Sequence, residues 1–481
     1  MKLRAKRALM KGNALVVIGL AVILAVMINY LAVQHRVRID ISPSRYYALS
    51  AATLNILRNL TVPAQAIVFM SVNHEEFNEV KQLLKEYECA SRKFGVEYVD
   101  PHRDLARAKE LAGQYNVAGP GVIVFRAGNR TKTVAVNELA TYDYAPLLAG
   151  HPKVMTSFRG EPVFSSALFS LMQDRSPVVY FLAGHGEQRI DDFSQHAGYS
   201  MIARLLEKGN IQPRTFHISE GPSIPKDCDV LVIGGQKKPL THVEAEMVKK
   251  YLDDSGRLLL MADSGVETGL EKVLETWGIR LGMDRVAGTT LTGRELLISH
   301  YGNHPITEQL QNMATIFNVP RSVQPLAPDA QSLDQSADKP RVMILAATSD
   351  EGWAEMTFYQ NPPKFDAGVD RRGPIPVAVA VEKGSLTVDV EIKPTRLAVI
   401  GDSTFVSNGA LLAGYSPDFF IHALNWLLER RDAPVFSPKT PPRVRLNIDQ
   451  KRLRVIYIVA IVALPAMILA IGLAVYLGRR K

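Results

Sequence analysis

The sequence predicts an α/β protein: two domains of alternating strands and helices, the second built on a parallel sheet, flanked by an N- and a C-terminal transmembrane helix. Three observations predict it. Apolar runs of strand length alternate with amphipathic stretches of helical period from residue 64 onward. Four of these runs, at 178–182, 229–233, 257–261 and 396–400, end in glycine-bearing turns. Uncharged apolar stretches of 20 and 23 residues occupy 14–33 and 455–477.

Each terminal stretch has the length a bilayer demands, because a helix rising about 1.5 Å per residue needs roughly 20 apolar residues to cross about 30 Å of hydrocarbon. Asn29 and Pro465 interrupt them, and both are tolerated in a membrane helix. A cleaved signal peptide is the competing reading of the first stretch, since Lys2, Arg4, Lys6, Arg7 and Lys11 precede it, but Ala32-Val-Gln-His35 is a poor cleavage site. Arg479, Arg480 and Lys481 follow the second stretch directly. Cations at both tips predict that residues 1–13 and 478–481 are cytoplasmic tails of a two-pass bacterial inner-membrane protein with a large extracytoplasmic region.

The tips account for the whole basic excess. Eight of the 56 Lys and Arg lie in 1–33 and 455–481, which hold no Asp or Glu, leaving 48 basic against 48 acidic residues between them. The net charge of +8 is therefore no argument for nucleic acid. Two cysteines, Cys89 and Cys228, exclude a disulfide framework and a cysteine-rich metal site.

The first domain spans 34–150. Ser50 stands where it caps a helix carried by Leu54, Leu57 and Leu60. After Pro63 come a strand at 64–70, a helix at 75–92, a strand at 96–100, a helix at 104–115 and a hairpin of 121–125 with 131–136 around Gly128-Asn129. This β-α-β-α-β-β order resembles a thioredoxin-like domain. Its redox Cys-x-x-Cys is missing, replaced by Ser71-Val-Asn-His74, so dithiol chemistry is excluded.

The second domain spans 151–434. Continuous apolar strands alternating with helices predict a parallel sheet covered on both faces, one helix opening with the capping box Thr241-His-Val-Glu244. Residues 300–395, with a Pro/Asp/Ser/Gln-rich stretch at 322–340 and short runs at 342–347 and 376–382, read as a β-rich insertion. A helix at 418–430 closes the domain, and 435–454 form a linker.

In such sheets ligands sit in the crevice at the carboxyl ends of the strands. Gly184, His185, Gly186 and Glu187 follow the first strand there. Glycines beside a histidine let the backbone turn sharply and bring imidazole and carboxylate to a ligand, as acid-base work requires. A purely structural His185, hydrogen-bonded to the strand end, is the simpler reading. Asp263, Ser264, Asp402 and Ser403 follow two further strands and supply the composition of a Ser-His-Asp site. Gly-x-Ser-x-Gly is absent, however, and Asp and Ser commonly cap the helix after a strand. A metal site from His185, Glu187, Asp191 and Asp192 lacks a defined ligand spacing. These eight strand-end residues form a candidate ligand-binding crevice, with no catalytic residue, metal or cofactor assigned. No Walker A motif is present, so any ATP hydrolysis belongs to a partner.

Several segments together, in order, resemble the gliding-motility-associated ABC transporter auxiliary family: Arg38-Ile-Asp-Ile-Ser with Tyr47-Ala-Leu-Ser-Ala-Ala-Thr, Tyr180-Phe-Leu-Ala-Gly-His-Gly-Glu187, Tyr301-Gly-Asn-His-Pro-Ile306, Leu397-Ala-Val-Ile-Gly-Asp-Ser-Thr-Phe405 and Asp418-Phe-Phe420. The resemblance implies a non-catalytic extracytoplasmic subunit that works with ABC-type permease and ATPase subunits at the lipid bilayer, with oligomers forming through the transmembrane helices. It also implies that the second domain is flavodoxin- or amidotransferase-like, a binding scaffold shared with intraflagellar transport proteins. Two other functions fit the residues: an envelope hydrolase or glycan-modifying enzyme using the Gly-His-Gly-Glu loop, and a stand-alone substrate-binding receptor.

Overall fold

The structure, a computed structural model, describes residues 48–430 apart from 116, 118, 174, 195–196, 222, 291–294, 312, 327–338, 358–362 and 385–393, with isolated positions between 19 and 27 and between 461 and 472. The chain folds as mixed α/β with several sheets.

Ser50 accepts the Thr53 N–H and starts helix α1, Ala51–Arg58. Then follow β1 (Ala64–Phe69), α2 (Phe77–Ala90), β2 (Phe94–Val99), α3 (Leu105–Tyr115), β3 (Val122–Ala127) and β4 (Arg130–Ala135). They make a four-stranded sheet in the order β2-β1-β3-β4, in which β1 and β2 are parallel and the other pairs antiparallel. A short antiparallel pair, β5 (Ala140–Asp143) and β6 (Val154–Phe158), leads to helix α4, Gly160–Met172.

Although α4 lies beyond residue 150, it packs on this first sheet. Its Phe164, Ala167, Leu168 and Leu171 share one core with Ala66, Val68, Ile123 and Phe125. A polar network pins it there. The buried Glu161 carboxylate accepts the Ser50 N–H at 2.6 Å and the Thr53 hydroxyl at 2.9 Å, and the Tyr87 hydroxyl donates to the Glu161 carbonyl at 3.1 Å.

The remaining chain supplies β7 (Val178–Ala183), α5 (Ser200–Lys208), β8 (Gln212–His217), β9 (Val230–Gly234), α6 (His242–Asp253), β10 (Arg257–Met261) and α7 (Glu271–Thr276). Small strands follow: β11 (Ile279–Leu281), β12 (Arg285–Ala287), β13 (Glu295–Ile298), β14 (His300–Tyr301), β15 (Thr315–Asn318) and β16 (Val323–Pro325). The series closes with β17 (Arg341–Ala347), β18 (Trp353–Glu355), β19 (Arg371–Arg372), β20 (Pro376–Lys383), β21 (Thr395–Ile400), α8 (Asn408–Leu412) and α9 (Asp418–Leu427). The large sheet has eight strands in the order β14-β17-β20-β21-β10-β9-β7-β8. From β8 to β21 the neighbours are parallel; β20, β17 and β14 continue it antiparallel. Residues 342–347 and 376–382, which by sequence belong to a β-rich insertion, thus lie in the main sheet.

The parallel strands read as unbroken apolar runs because both faces are buried. Val179, Phe181, Val230, Val232, Leu259 and Met261 point to one core, with Ile202 and Leu206 of α5 and Phe420 and Leu424 of α9. Their alternates, Tyr180, Leu182, Leu231, Ile233, Leu258 and Leu260, point to the other, with Val248 and Leu252 of α6 and Leu274 of α7.

The flanking transmembrane helices, and with them the two-pass inner-membrane placement, require correction. Among the described residues no helix is long and apolar enough to cross a membrane. Within 14–33 and 455–477 the described helical positions are short pieces such as Ile23–Leu24 and 465–467, and the rest of both stretches lies outside the described residues. Apolar composition meets the hydropathy condition for a crossing, but a crossing also needs about 20 residues of continuous helix.

Removing the Glu161 carboxylate takes the acceptor from the Ser50 N–H and one partner from the buried Thr53 hydroxyl. Replacing Glu161 by Ala is expected to cost about 2–3 kcal/mol of stability, read as a lower urea midpoint with an unchanged slope.

Candidate functional site

Because β7, β9, β10 and β21 are parallel, their carboxyl ends open on one edge of the sheet. The turn after β7 is set by backbone. Gly186 has φ +83°, and a Cβ there would stand 2.9 Å from Cβ and Cγ of Lys237 in the turn after β9. The His185 carbonyl accepts the Lys237 N–H at 2.8 Å and the Lys238 N–H at 3.1 Å, while the Gln188 N–H donates to the Gly234 carbonyl at 2.9 Å. At Gly235, φ +73°, a Cβ would meet Gln188 Cγ at 2.7 Å and Ser403 Oγ at 2.9 Å, so three strand-end turns pack against one another.

The His185 side chain is 14% exposed and lies between two carboxylates. Its Nε2 is 3.2 Å from Glu244 Oε2 and its Nδ1 is 3.6 Å from Glu187 Oε1. Glu187 also turns back on the loop, accepting the His185 N–H at 2.7 Å, with its side chain only 1% exposed. Glu244 belongs to the capping box of α6, where Oε2 takes the Thr241 N–H at 2.8 Å and the Thr241 hydroxyl at 2.6 Å. Burial works against ionisation of Glu244, yet these Thr241 hydrogen bonds, with His185 adding to them, hold its carboxyl below the usual range. The imidazole thus fastens the β7 turn to the N-terminus of α6 through Glu244, while its Nδ1 and Glu187 Oε1 are buried without a hydrogen-bond partner.

The acidic pair on the other side is committed to backbone. Asp263 Oδ1 accepts the Ser403 N–H at 2.8 Å, and Oδ2 lies 3.5 Å from Lys237 Nζ. Asp402 is fully buried; Oδ2 accepts the Asn318 N–H at 2.6 Å and Oδ1 accepts the Thr404 N–H at 2.7 Å. Burial, with Asp263 close by, pushes the Asp402 carboxyl up to about 7 against its hydrogen-bond donors. Ser264 leaves the group, since its hydroxyl donates to the Asp284 carbonyl at 2.7 Å. The Ser-His-Asp composition therefore does not assemble into a triad: Asp263 orients a backbone amide, and the His185 nitrogens face glutamates.

Two side chains that build the site carry no pattern of their own in the sequence, and a third carries only a local one. Tyr199, fully buried, donates its hydroxyl to the Ser403 carbonyl at 2.6 Å, and burial beside Asp263 and Asp402 pushes its phenol well up. Arg321 reaches the carbonyls of Asp263 and Val266. Glu244 is visible as a capping residue, but not as the partner of His185. Elsewhere, burial pushes the Cys228 thiol up to about 12, which removes it as a nucleophile at neutral pH. The described carboxylates that cluster as metal ligands would, Glu355, Asp366 and Asp370, lie away from these turns, and Glu355 and Asp370 accept N–H groups of their own loops.

Two outcomes follow from this geometry. Changing Gly186 to Ala is expected to cost about 1–3 kcal/mol, because the new Cβ meets both an unfavourable φ and Lys237; thermal unfolding reads it. Asp402 holds its proton more tightly folded, near 7, than unfolded, near 3.9. Its contribution is then greatest below about pH 4 and is lost as pH rises to about 7. Denaturant titrations across that window should show a falling stability component that Asp402→Asn removes.

The family described as an ABC-type uncharacterized transport system matches residues 176–422, and a domain of unknown function matches residues 44–141. No curated protein matches the chain. Among solved structures the chain is similar to the mmIFT52 N-terminal domain, 17% identical with a TM-score of 0.37 over 52% of this chain and 97% of that one. A putative thua-like protein from Bacteroides uniformis is 13% identical, TM-score 0.35, over 53% of this chain and 93% of that one. An exo-beta-1,4-mannosidase, Op5Man5, from an Opitutaceae bacterium is 9% identical, TM-score 0.28, over 74% of this chain and 49% of that one. At these scores the structural likenesses carry no functional argument. The family match takes in more than half of the 481 residues, from just before β7 into α9, and the chain belongs to the family of ABC-type uncharacterized transport systems.

Proposed function

We propose that the protein is a non-catalytic accessory component of an ABC-type transport system, and that its strand-end crevice recognises a partner or ligand instead of turning over a substrate. The observation that carries this reading is the pinning of His185 between Glu187 and Glu244. A general base has to reach a substrate proton within about 2.6–3.2 Å, and here His185 Nε2 is taken by Glu244 at 3.2 Å while Nδ1 is buried 3.6 Å from Glu187 without a hydrogen-bond partner. Family membership and the missing Walker A motif support separate permease and ATPase subunits as the partners.

The recognition surface we assign consists of Gly184, His185, Gly186 and Asp263, with Glu187, Asp402 and Ser403 buried behind it. His185 Nδ1, Glu187 Oε1 and Ser403 Oγ are buried without a hydrogen-bond partner, an expense that a polar ligand or a docked backbone would offset. Affinity purification of the tagged full-length chain from its own cells, read by mass spectrometry, is expected to recover an ABC-type permease and ATPase. Replacing His185 and Glu244 together by Ala should lower that recovery while leaving the protein folded. Repeated recovery of neither subunit sinks the proposal, as does a hydrolytic activity that the same double change abolishes.

A further inference from the structure

A second site lies where the two domains meet, away from the strand ends. Here β4 and α4 of the first domain face α5 of the second across a cleft of about 340 Å³, at the lower end of the range for small-molecule sites. The walls are tied together. The Ser166 hydroxyl of α4 donates to the Lys208 carbonyl at the end of α5 at 2.8 Å, and Lys208 Nζ lies 3.3 Å from Glu138 Oε2.

The lining is apolar inside and cationic at the rim. Val134, Val163 and Leu205 form apolar wall; Lys132, Arg159 and Arg204 stand around it. Lys208 and Glu138 neutralise each other, which leaves those three cations against one carboxylate, Glu207. Among the described residues no ion-pair partner is found for Lys132, Arg159 or Arg204; Arg204 lies over the Phe193 ring at 5.4 Å, which keeps its charge. Arg159 and Arg204 are exposed, so neither is held by the core. Uncompensated cations around an apolar cleft attract a ligand that is negative at one end and apolar at the other, and a neutral or cationic amphiphile lacks the first of these interactions.

We propose that this interdomain cleft binds a single-chain amphipathic anion, an acyl carboxylate or alkyl phosphate, with its head on Arg159 and Arg204 and its chain on Val134, Val163 and Leu205. The proposal is independent of the crevice around His185. It makes the occupancy of the cleft a link between the domains, since each contributes one wall.

Calorimetry on the full-length chain tests it, with decanoate and decyl phosphate below their micellar concentrations as probes, and with decyltrimethylammonium and acetate as controls. Saturable binding of one decyl anion per chain is expected, with neither control binding; which anion binds more tightly identifies the head group. Replacing Arg159 and Arg204 together by Ala should weaken binding about tenfold. Val163→Trp, which fills the cleft with the cations intact, should abolish it. Both variants change residues outside the fully buried core, and a thermal melt verifies that they fold. Absence of anion binding, equal binding of decyltrimethylammonium, or unchanged affinity in both variants overturns the proposal.

Discussion

The arrangement of the strand-end turns depends on one guanidinium that meets no water. Arg321 is fully buried, and burial lowers its pKa against the opposing influence of Glu271, Asp284 and Asp263. Its Nε donates to the Gly282 carbonyl at 2.7 Å, and Nη1 donates to the carbonyls of Val266 at 2.7 Å and Asp263 at 3.2 Å. Each buried donor left unmet would cost about 1–3 kcal/mol, so the turn after β10 has to present the Asp263 and Val266 carbonyls and the turn after β11 that of Gly282. The Arg321 N–H meanwhile donates to the Gly401 carbonyl at 2.8 Å, which fastens the turn after β21 to the same residue. Asp263 and Ser403 then meet because both of their turns are held by Arg321.

That constraint explains why a segment outside the parallel strands governs the site. Asn318 ends β15 and Arg321 and Ser322 lie between it and β16, and all three reach into the strand ends: Ser322 through Asp284, Asn318 through Asp402. The antiparallel half of the sheet serves the same end. With β20 paired to β21 in register from Ala378 to Lys383, β21 is an interior strand, and its carboxyl turn is buried on both sides. A buried turn has to satisfy its backbone internally, and Asp263 and Asp402 do this for Ser403, Asn318 and Thr404.

Seen this way, the polar residues around His185 are largely engaged in holding loops together. The imidazole joins the β7 turn to α6 through Glu244, and what is left for a partner or ligand is the outer surface of that latch. The interdomain cleft is built on the opposite plan, with an apolar lining and cations that the fold does not use.

Local features were legible in the sequence. The cap at Ser50, the Thr241/Glu244 capping box, the strands that end before Gly184, Gly235, Ala262 and Gly401, and the clustering of His185, Glu187, Asp263, Asp402 and Ser403 at one sheet edge follow from short-range chemistry: side chain to backbone over three residues, or apolar runs bounded by glycine. What needed the tertiary structure is non-local. Nothing in the pattern of α4 says that it packs on the sheet before it, because helical amphipathicity names a face and not a neighbour. Hydropathy at the two ends predicts membrane helices, yet no described helix is long and apolar enough to cross a membrane. The choice of Glu244 for His185, Asp284 for the Ser264 hydroxyl and three carbonyls for Arg321 is made by which turns the sheet brings within hydrogen-bond distance. The sequence by itself determined where strands, caps and turns fall; only the tertiary structure decided which of them touch, because pairing energies depend on distances that chain separation does not encode.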